Sequence, residues 1–297
     1  MTRSRNVSSP VLGIICMLVA GVLMSSNNAI LKWVTAGYPA GEIMFIRGVF
    51  IWLPIMILIA RAGGPRTIII QRPHLHFIRG ACVVGSAFMY LTGLRYLPLA
   101  DMTAISFSTP LFVTALAPFL LGEIVGWRRW TAVAVGFAGI VIITRPTGDA
   151  LQFVVLLPLG SAFWAGIRDM VTRRMTTTDS SNGILCTTTA MVMFAGLMTF
   201  PFGWTMPTAQ DFALIAVAGL FAGFGHHFMI EAFRHAEAVM VSPFRYLMIV
   251  WAILLGYFIW GDLPDTYVIA GIVLVILSGL YIFHREIVRR RAAMQGP

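Results

Sequence analysis

Three kinds of chemically capable side chain interrupt long apolar stretches of this chain. The first is the guanidinium group: Arg47 stands within FIRGVFIW and Arg245 within SPFRYLMIV. Its planar fork of donors suits carboxylates, phosphates and carbonyls. The second is the amide pair Asn27 and Asn28, which with Ser25 and Ser26 makes the most polar patch inside any apolar run. Amides hydrogen-bond a small molecule readily, and they also join helices inside bilayers. The third is imidazole: His226 and His227 precede Glu231 and His235. At a spacing of four, His227, Glu231 and His235 share one helix face.

Each group carries alternatives. A charge at membrane depth costs at least about 2.5–3.5 kcal/mol on insertion scales, so Arg47 must face other helices or water. It can bind an anionic or carbonyl-bearing ligand, tie to backbone carbonyls or Glu42, or snorkel to the interface. Arg245 suits ligand contact or gating. Arg168 and Asp169 lie near a span end and read as interface anchors. Lys32 reads as a cavity-mouth charge or an anchor. The histidines suit a proton relay, ligand hydrogen bonds or an interface cluster better than a metal, because no second His/Glu cluster and no HExxH completes a ligand set. Aromatic rings within apolar runs, Tyr90, Trp164 and Tyr246 foremost, can stack a planar ring system. The candidates for substrate contact are therefore Arg47, Arg245, Tyr246, Asn27, Asn28, His226, His227, Trp164 and Tyr90; no catalytic residue, cofactor or metal is expected.

The elements that must position these groups are membrane helices. Hydrophobic residues make up 58% of the chain and charged residues 11%, less than half the charged share of an ordinary soluble domain. Mean hydropathy is +0.84. Apolar runs of helix-spanning length cover about 10–32, 41–61, 74–93, 98–121, 128–145, 152–174, 184–203, 211–233, 238–260 and 266–284. Their continuous apolar character argues against a β-barrel, whose strands alternate. Cys16, Cys82 and Cys186 lie within these runs without CxxC spacing and read as small buried hydrophobes. Pro110, Pro118 and Pro243 are expected to kink the fourth and ninth spans.

The net charge of +9 sits mainly between the runs, which indicates membrane orientation rather than nucleic acid. With both termini in the cytoplasm, the inward segments carry most basic residues, Arg3, Arg5, Arg79, Arg128, Arg129, Arg173 and Arg174 among them. The opposite face has only Lys32, Arg95 and Arg145.

Residues 76–146 shifted by 139 positions fall on a second version of themselves. Leu94-Arg95-Tyr96 meets Phe233-Arg234-His235, and Leu121-Gly122-Glu123 meets Trp260-Gly261-Asp262. With an odd number of spans per copy, the second copy enters from the other side. The expected fold is all-α integral membrane: ten transmembrane helices as two inverted five-helix repeats, covering 10–145 and 152–284. Glu123 and Asp262, at equivalent span ends, read as structural caps or partners of basic neighbours such as Arg128. Spans five and ten are expected to buttress a central cavity formed by the other eight.

Short Pro-bearing spans ending in Gly-Glu or Gly-Asp occupy Ala104–Glu123 and Ser242–Asp265, and EIMFIR opens the second span. These stretches, with the Gly-rich spans that follow the first two, resemble the EamA repeat of the drug/metabolite transporter superfamily. The resemblance covers nearly the whole chain and implies an inner-membrane carrier with a central cavity. The ninth span is similar to a branch that includes riboflavin and S-adenosylmethionine uptake carriers. The expected function is alternating-access transport, first of a ring-bearing compound such as riboflavin. Export of amino acids or related metabolites is the alternative, and a membrane enzyme the rival class, for which no GxSxG or P-loop supplies a signature. Expected partners are a small-molecule substrate and the lipid bilayer, with pairing of two copies left open.

Overall fold

In hydrocarbon no water pairs with exposed peptide groups, so apolar runs of about 20 residues must close their hydrogen bonds internally, as helices. The computed structural model describes residues 10–294 apart from 124, 146–150, 176–177 and 237. Arg3 and Arg5 lie outside the described residues. The first repeat comprises α1 (Pro10–Thr35), α2 (Ala40–Ala62), α3 (Pro73–Tyr96), α4 (Leu99–Ser106), α5 (Thr109–Leu121) and α6 (Trp127–Thr144). The second comprises α7 (Leu151–Met175), α8 (Ser181–Leu197), α9 (Ala209–His235), α10 (Ala238–Arg245), α11 (Leu247–Trp260) and α12 (Thr266–Met294). Among the described residues, nine stretches are long and apolar enough to cross a membrane, with α4–α5 and α10–α11 each counting as one. The tenth crossing is α6, whose Trp-Arg-Arg-Trp start lowers its hydropathy.

The prolines interrupt rather than merely bend. Pro110 has no N–H to offer the carbonyl of Ser106, and Thr109 Oγ1 donates to that carbonyl at 2.9 Å instead. The ladder tightens to three-residue bonds, Ser108 N to Ile105 O at 2.9 Å and Leu111 N to Ser108 O at 2.8 Å. In the second repeat Tyr246 N reaches Pro243 O at 3.1 Å, and Ile249 N reaches Tyr246 O at 3.0 Å. Phe107 and Tyr246, the residues at the two breaks, occupy equivalent repeat positions 139 apart. Pro118 lies inside α5, which continues through it.

Helix packing follows the duplication. Exchanging the halves turns α1 on α9 into α7 on α3, α2 on α9 into α8 on α3, and α1 on α11 into α7 on α5; each of these contacts is present. The pairs α2–α8 and α6–α12 map onto themselves. At α6–α12 the backbones touch, since a Cβ on Gly271 would lie 2.5 Å from Gly139 O. Only glycine permits that approach.

Packing breaks the exchange in several contacts. α4 packs on α11, α1 on α3 and α5 on α6, but among the described residues α10 on α5, α7 on α9 and α11 on α12 show no comparable contact. The largest buried cluster follows the same bias. It joins Leu31 and Val34 of α1, Ile43 and Met44 of α2, Leu91 and Leu94 of α3, Leu99 and Met102 of α4, and Ala252 of α11. All lie toward the face opposite the termini. Elsewhere the buried groups form three further clusters: Ala104, Leu111, Val133, Ile249 and Val275 among α4, α5, α6, α11 and α12; Cys16, Met17, Ala232 and Val241; and Ile55, Ile59 and Cys186.

Loop ties hold the rim. Asp179 accepts Thr178 Oγ1 at 2.5 Å, His76 Nε2 at 2.9 Å and Gln71 N at 2.7 Å. The Thr178 hydroxyl first, then His76 and the Gln71 and Arg72 amides, hold its carboxyl well below the usual carboxylate range. Tyr38 Oη donates to Asp211 at 2.8 Å on the far face.

Two outcomes follow. Gly271→Val should lower the melting temperature of purified protein, overpacking a backbone contact at a cost of roughly 1–3 kcal/mol; an unchanged melting curve would refute the close approach. A carboxylate with a depressed folded pKa stabilises above its unfolded pKa of about 4, and that contribution is lost as pH falls. Asp179→Asn should therefore melt lower at pH 7 and show a shallower fall in melting temperature between pH 5 and pH 3 than the parent.

Candidate functional site

The polar groups of the inner spans converge beneath the far-face cluster. Arg47 is seven residues into α2, where Gly48 lets the helix pack closely on Met193 of α8. Its Nε donates to Asn27 Oδ1 at 3.1 Å, and Asn27 Nδ2 donates to Asn28 Oδ1 at 2.9 Å. Asn27 is buried, and Asn28 stays partly accessible. The tie of Arg47 is thus to the amide pair, not to Glu42. Glu42 instead accepts the Thr205 amide at 3.1 Å, fastening the loop before α9. Tyr90 of α3 is the ionisable neighbour of Arg47 and lies beside Thr103.

At the level of the helix breaks, the rings of Phe107 and Tyr246 stack with centroids 5.0 Å apart and planes at 32°. The guanidinium of Arg245 lies over the Phe107 ring, 6.0 Å from its centroid. That geometry is a cation–π contact. Tyr246 directs its hydroxyl against Gly279 of α12, where a Cβ would collide with it. The tyrosine therefore offers a ring rather than a free hydroxyl to the interior. Arg245 is exposed although it sits in the middle of the ninth crossing.

His226 is accessible at its edge, and its Nδ1 lies 2.7 Å from Ala222 O within α9. Arg47 of α2, Arg168 of α7 and Arg245 of α10 all lie within electrostatic reach of it. Trp164 packs on Gly85 of α3 and remains half-exposed. His227 points elsewhere, beside Phe228, and Glu231 and His235 pair at 3.6 Å toward the termini end of α9. Among the described residues no three His, Cys, Asp or Glu side chains are grouped to hold a metal ion.

Two residues were not identified as site residues in the sequence. Arg168 is paired with Asp169 at 2.8 Å and faces the same space as His226, rather than only anchoring an interface. Arg79 donates its Nε to Thr172 at 2.8 Å and an Nη1 hydrogen to Thr188, bridging α3, α7 and α8. The signal available was their shared apolar context with threonines at Thr172 and Thr188; their nearness to span ends masked it. Lys32 belongs to the far rim, 2.9 Å from Asp262 and 4.7 Å above the Trp260 ring. Glu123 pairs with Arg173 at 2.8 Å, not with Arg128. An apolar furrow lined by Ala29, Ile30, Trp33, Leu255 and Trp260 opens between α1 and α11, apart from the arginine-lined space.

Residues 11–145 and 152–283 each match the EamA-like transporter family. The chain belongs to that family. An S-adenosylmethionine uptake transporter of Rickettsia conorii is 28% identical over 277 residues, covering 92% of this chain and 93% of the relative. A riboflavin transporter of Rhizobium johnstonii is 29% identical over 291 residues, covering 96% and 95%. A pseudopaline exporter of Pseudomonas aeruginosa is 26% identical over 273 residues, covering 90% and 94%. One solved crystal structure shares the fold at a TM-score of 0.65 and 16% identity, over 96% of this chain and 99% of its own. This EamA-like protein is thus a multi-pass membrane protein whose duplicated halves meet at two broken helices.

A hydrogen bond to a charged group contributes about 1.5–3 kcal/mol. Asn27→Leu and Arg47→Leu should each destabilise the purified protein, and the double variant should lose less than the two single losses summed. Additive losses in that thermal-melting cycle would show that the Arg47–Asn27 contact carries no energy.

Proposed function

We propose that this protein is a secondary transporter that carries a small ring-bearing metabolite across the cell inner membrane by alternating access. Its termini face the cytoplasm in this reading, supported by the concentration of basic residues on their side. The state described is then sealed outward and open inward. The observation that supports the proposal is the uneven packing of the two halves: α4 packs on α11, whereas among the described residues its counterpart α10 makes no comparable contact with α5. An inverted repeat can adopt the mirror arrangement by swapping the roles of its halves, with the breaks at Phe107 and Tyr246 as pivots.

Aromatic rings next to Arg47, Arg245 and His226 suit a planar cargo with polar substituents. Riboflavin uptake is the first choice, supported by the similarity to riboflavin transporters. Export of an amino acid or related metabolite is the second reading. The similarity to an exporter of pseudopaline and the Arg47–Asn27 pair, a ready acceptor of a carboxylate, favour it. Substrate candidates on this reading are Arg47, Arg245, Tyr246, Asn27, Asn28, His226, Trp164 and Tyr90, with Arg168 added and His227 placed at the margin.

Purified protein in liposomes should move labelled riboflavin, with or without a pH gradient, and Arg245→Gln should cut that flux about tenfold at unchanged membrane expression. Absence of riboflavin flux alongside export of an amino acid would select the second reading. Turnover of a substrate without net transport would instead reveal an enzyme.

A further inference from the structure

The central space holds more positive charge than its own side chains neutralise. Arg47 spends its Nε on a neutral amide, and among the described residues no carboxylate pairs with it. Arg245 lies over the Phe107 ring and within reach of Tyr246 and His226, and it too has no carboxylate partner among the described residues. Arg168 does have one, Asp169 at 2.8 Å. His226 lies in reach of all three guanidinium groups. The other carboxylates at membrane depth are committed elsewhere: Glu42 to the Thr205 amide, Glu231 to His235, and Asp101 among Lys32, Asp262 and Asp265 at the far rim.

Neither free arginine serves the repeat itself. The positions equivalent to Arg47 and Arg245 are Cys186 and Ser106, so five-helix packing works without a charge at either place. A buried or half-buried guanidinium is expensive unless something offsets it, and an oxyanion meeting its fork is the strongest available partner. Water in the open space offsets part of the cost while the site is empty. When the space closes around cargo that water is expelled, and the charge then has to be met by the cargo.

We propose that the cargo carries an oxyanion, a carboxylate or a phosphate ester, bound by Arg47 and Arg245 in the space they share with His226, with its planar part along the Phe107–Tyr246 rings. This inference rests on the transport reading and revises its first-choice cargo, since riboflavin carries neither group: of two ring-bearing compounds differing only in that group, the anion is the preferred cargo. A net cation is disfavoured by the same field.

The test uses the full-length protein in detergent and in liposomes with matched neutral and anionic probes. These are riboflavin against riboflavin 5′-phosphate, adenosine against adenosine 5′-monophosphate, and indole-3-acetamide against indole-3-acetate. In at least one pair the anion should bind ten or more times tighter and compete for flux. Arg245→Gln and Arg47→Gln should each collapse that preference to under threefold, Arg245→Lys should retain most of it, and Arg66→Gln, on an exposed loop, should leave it unchanged. Equal or tighter binding of every neutral member, or an anion preference untouched by both arginine variants, overturns the inference while transport stands. If no probe of any pair binds or moves, but a metabolite with neither carboxylate nor phosphate does, the inference also fails and transport survives. If nothing moves at all, the transport reading fails with it.

Discussion

Two interrupted helices, placed back to back where lipid does not reach them, are the constraint on which the other features depend. A break in a membrane helix frees peptide groups that cost several kcal/mol each if they face hydrocarbon. Here the freed groups are met by three-residue bonds and by the Thr109 hydroxyl, and the breaks are stacked ring on ring through Phe107 and Tyr246. Equivalent residues of two inverted copies can touch only near the axis that relates them. On the transport reading the contact marks the pivot of the molecule as well as the floor on which its aromatic surface is built.

From that pivot the structure divides into parts that must stay and parts that can move. α6 and α12 are locked by backbone contact between Gly139 and Gly271. Two ion pairs tie equivalent turns on opposite faces, Lys32 to Asp262 and Arg173 to Glu123. Since both exist in one state, they hold each half-helix to its neighbour and do not discriminate between open and closed. On the transport reading, discrimination would come from the apolar cluster around Leu94, Leu99 and Met102. Apolar seals suit such a role because their strength is non-directional and scales with area, so they can form and part without stranding polar groups.

Much of the candidate site was visible in the chain, for a simple reason. In an apolar run any Arg, His or Asn is conspicuous, so Arg47, Arg245, His226, Asn27 and Asn28 stood out before any contact was known. Arg168 and Arg79 were hidden because they sit where a positive charge is ordinary, at span ends. Only the packing of α3 against α7 and α8 gives Arg79 its partners, Thr172 and Thr188. Tyr246 was legible as an interior aromatic, but its hydroxyl is directed by Gly279, 33 positions later, and no local pattern reports that.

The sequence alone determined the ten crossings, the duplication and the approximate places of the helix breaks. Each follows from local physics: apolar length against bilayer thickness, an odd span count per copy, and proline's missing donor. The tertiary structure decided which of the paired helix contacts form and which polar groups lie within reach of one another. Two inverted copies have two related packings, and every helix keeps the same apolar face and the same internal hydrogen bonds in both. Local pattern is therefore nearly degenerate between them, and the difference lies in contacts such as α4 on α11, made between residues more than 140 positions apart.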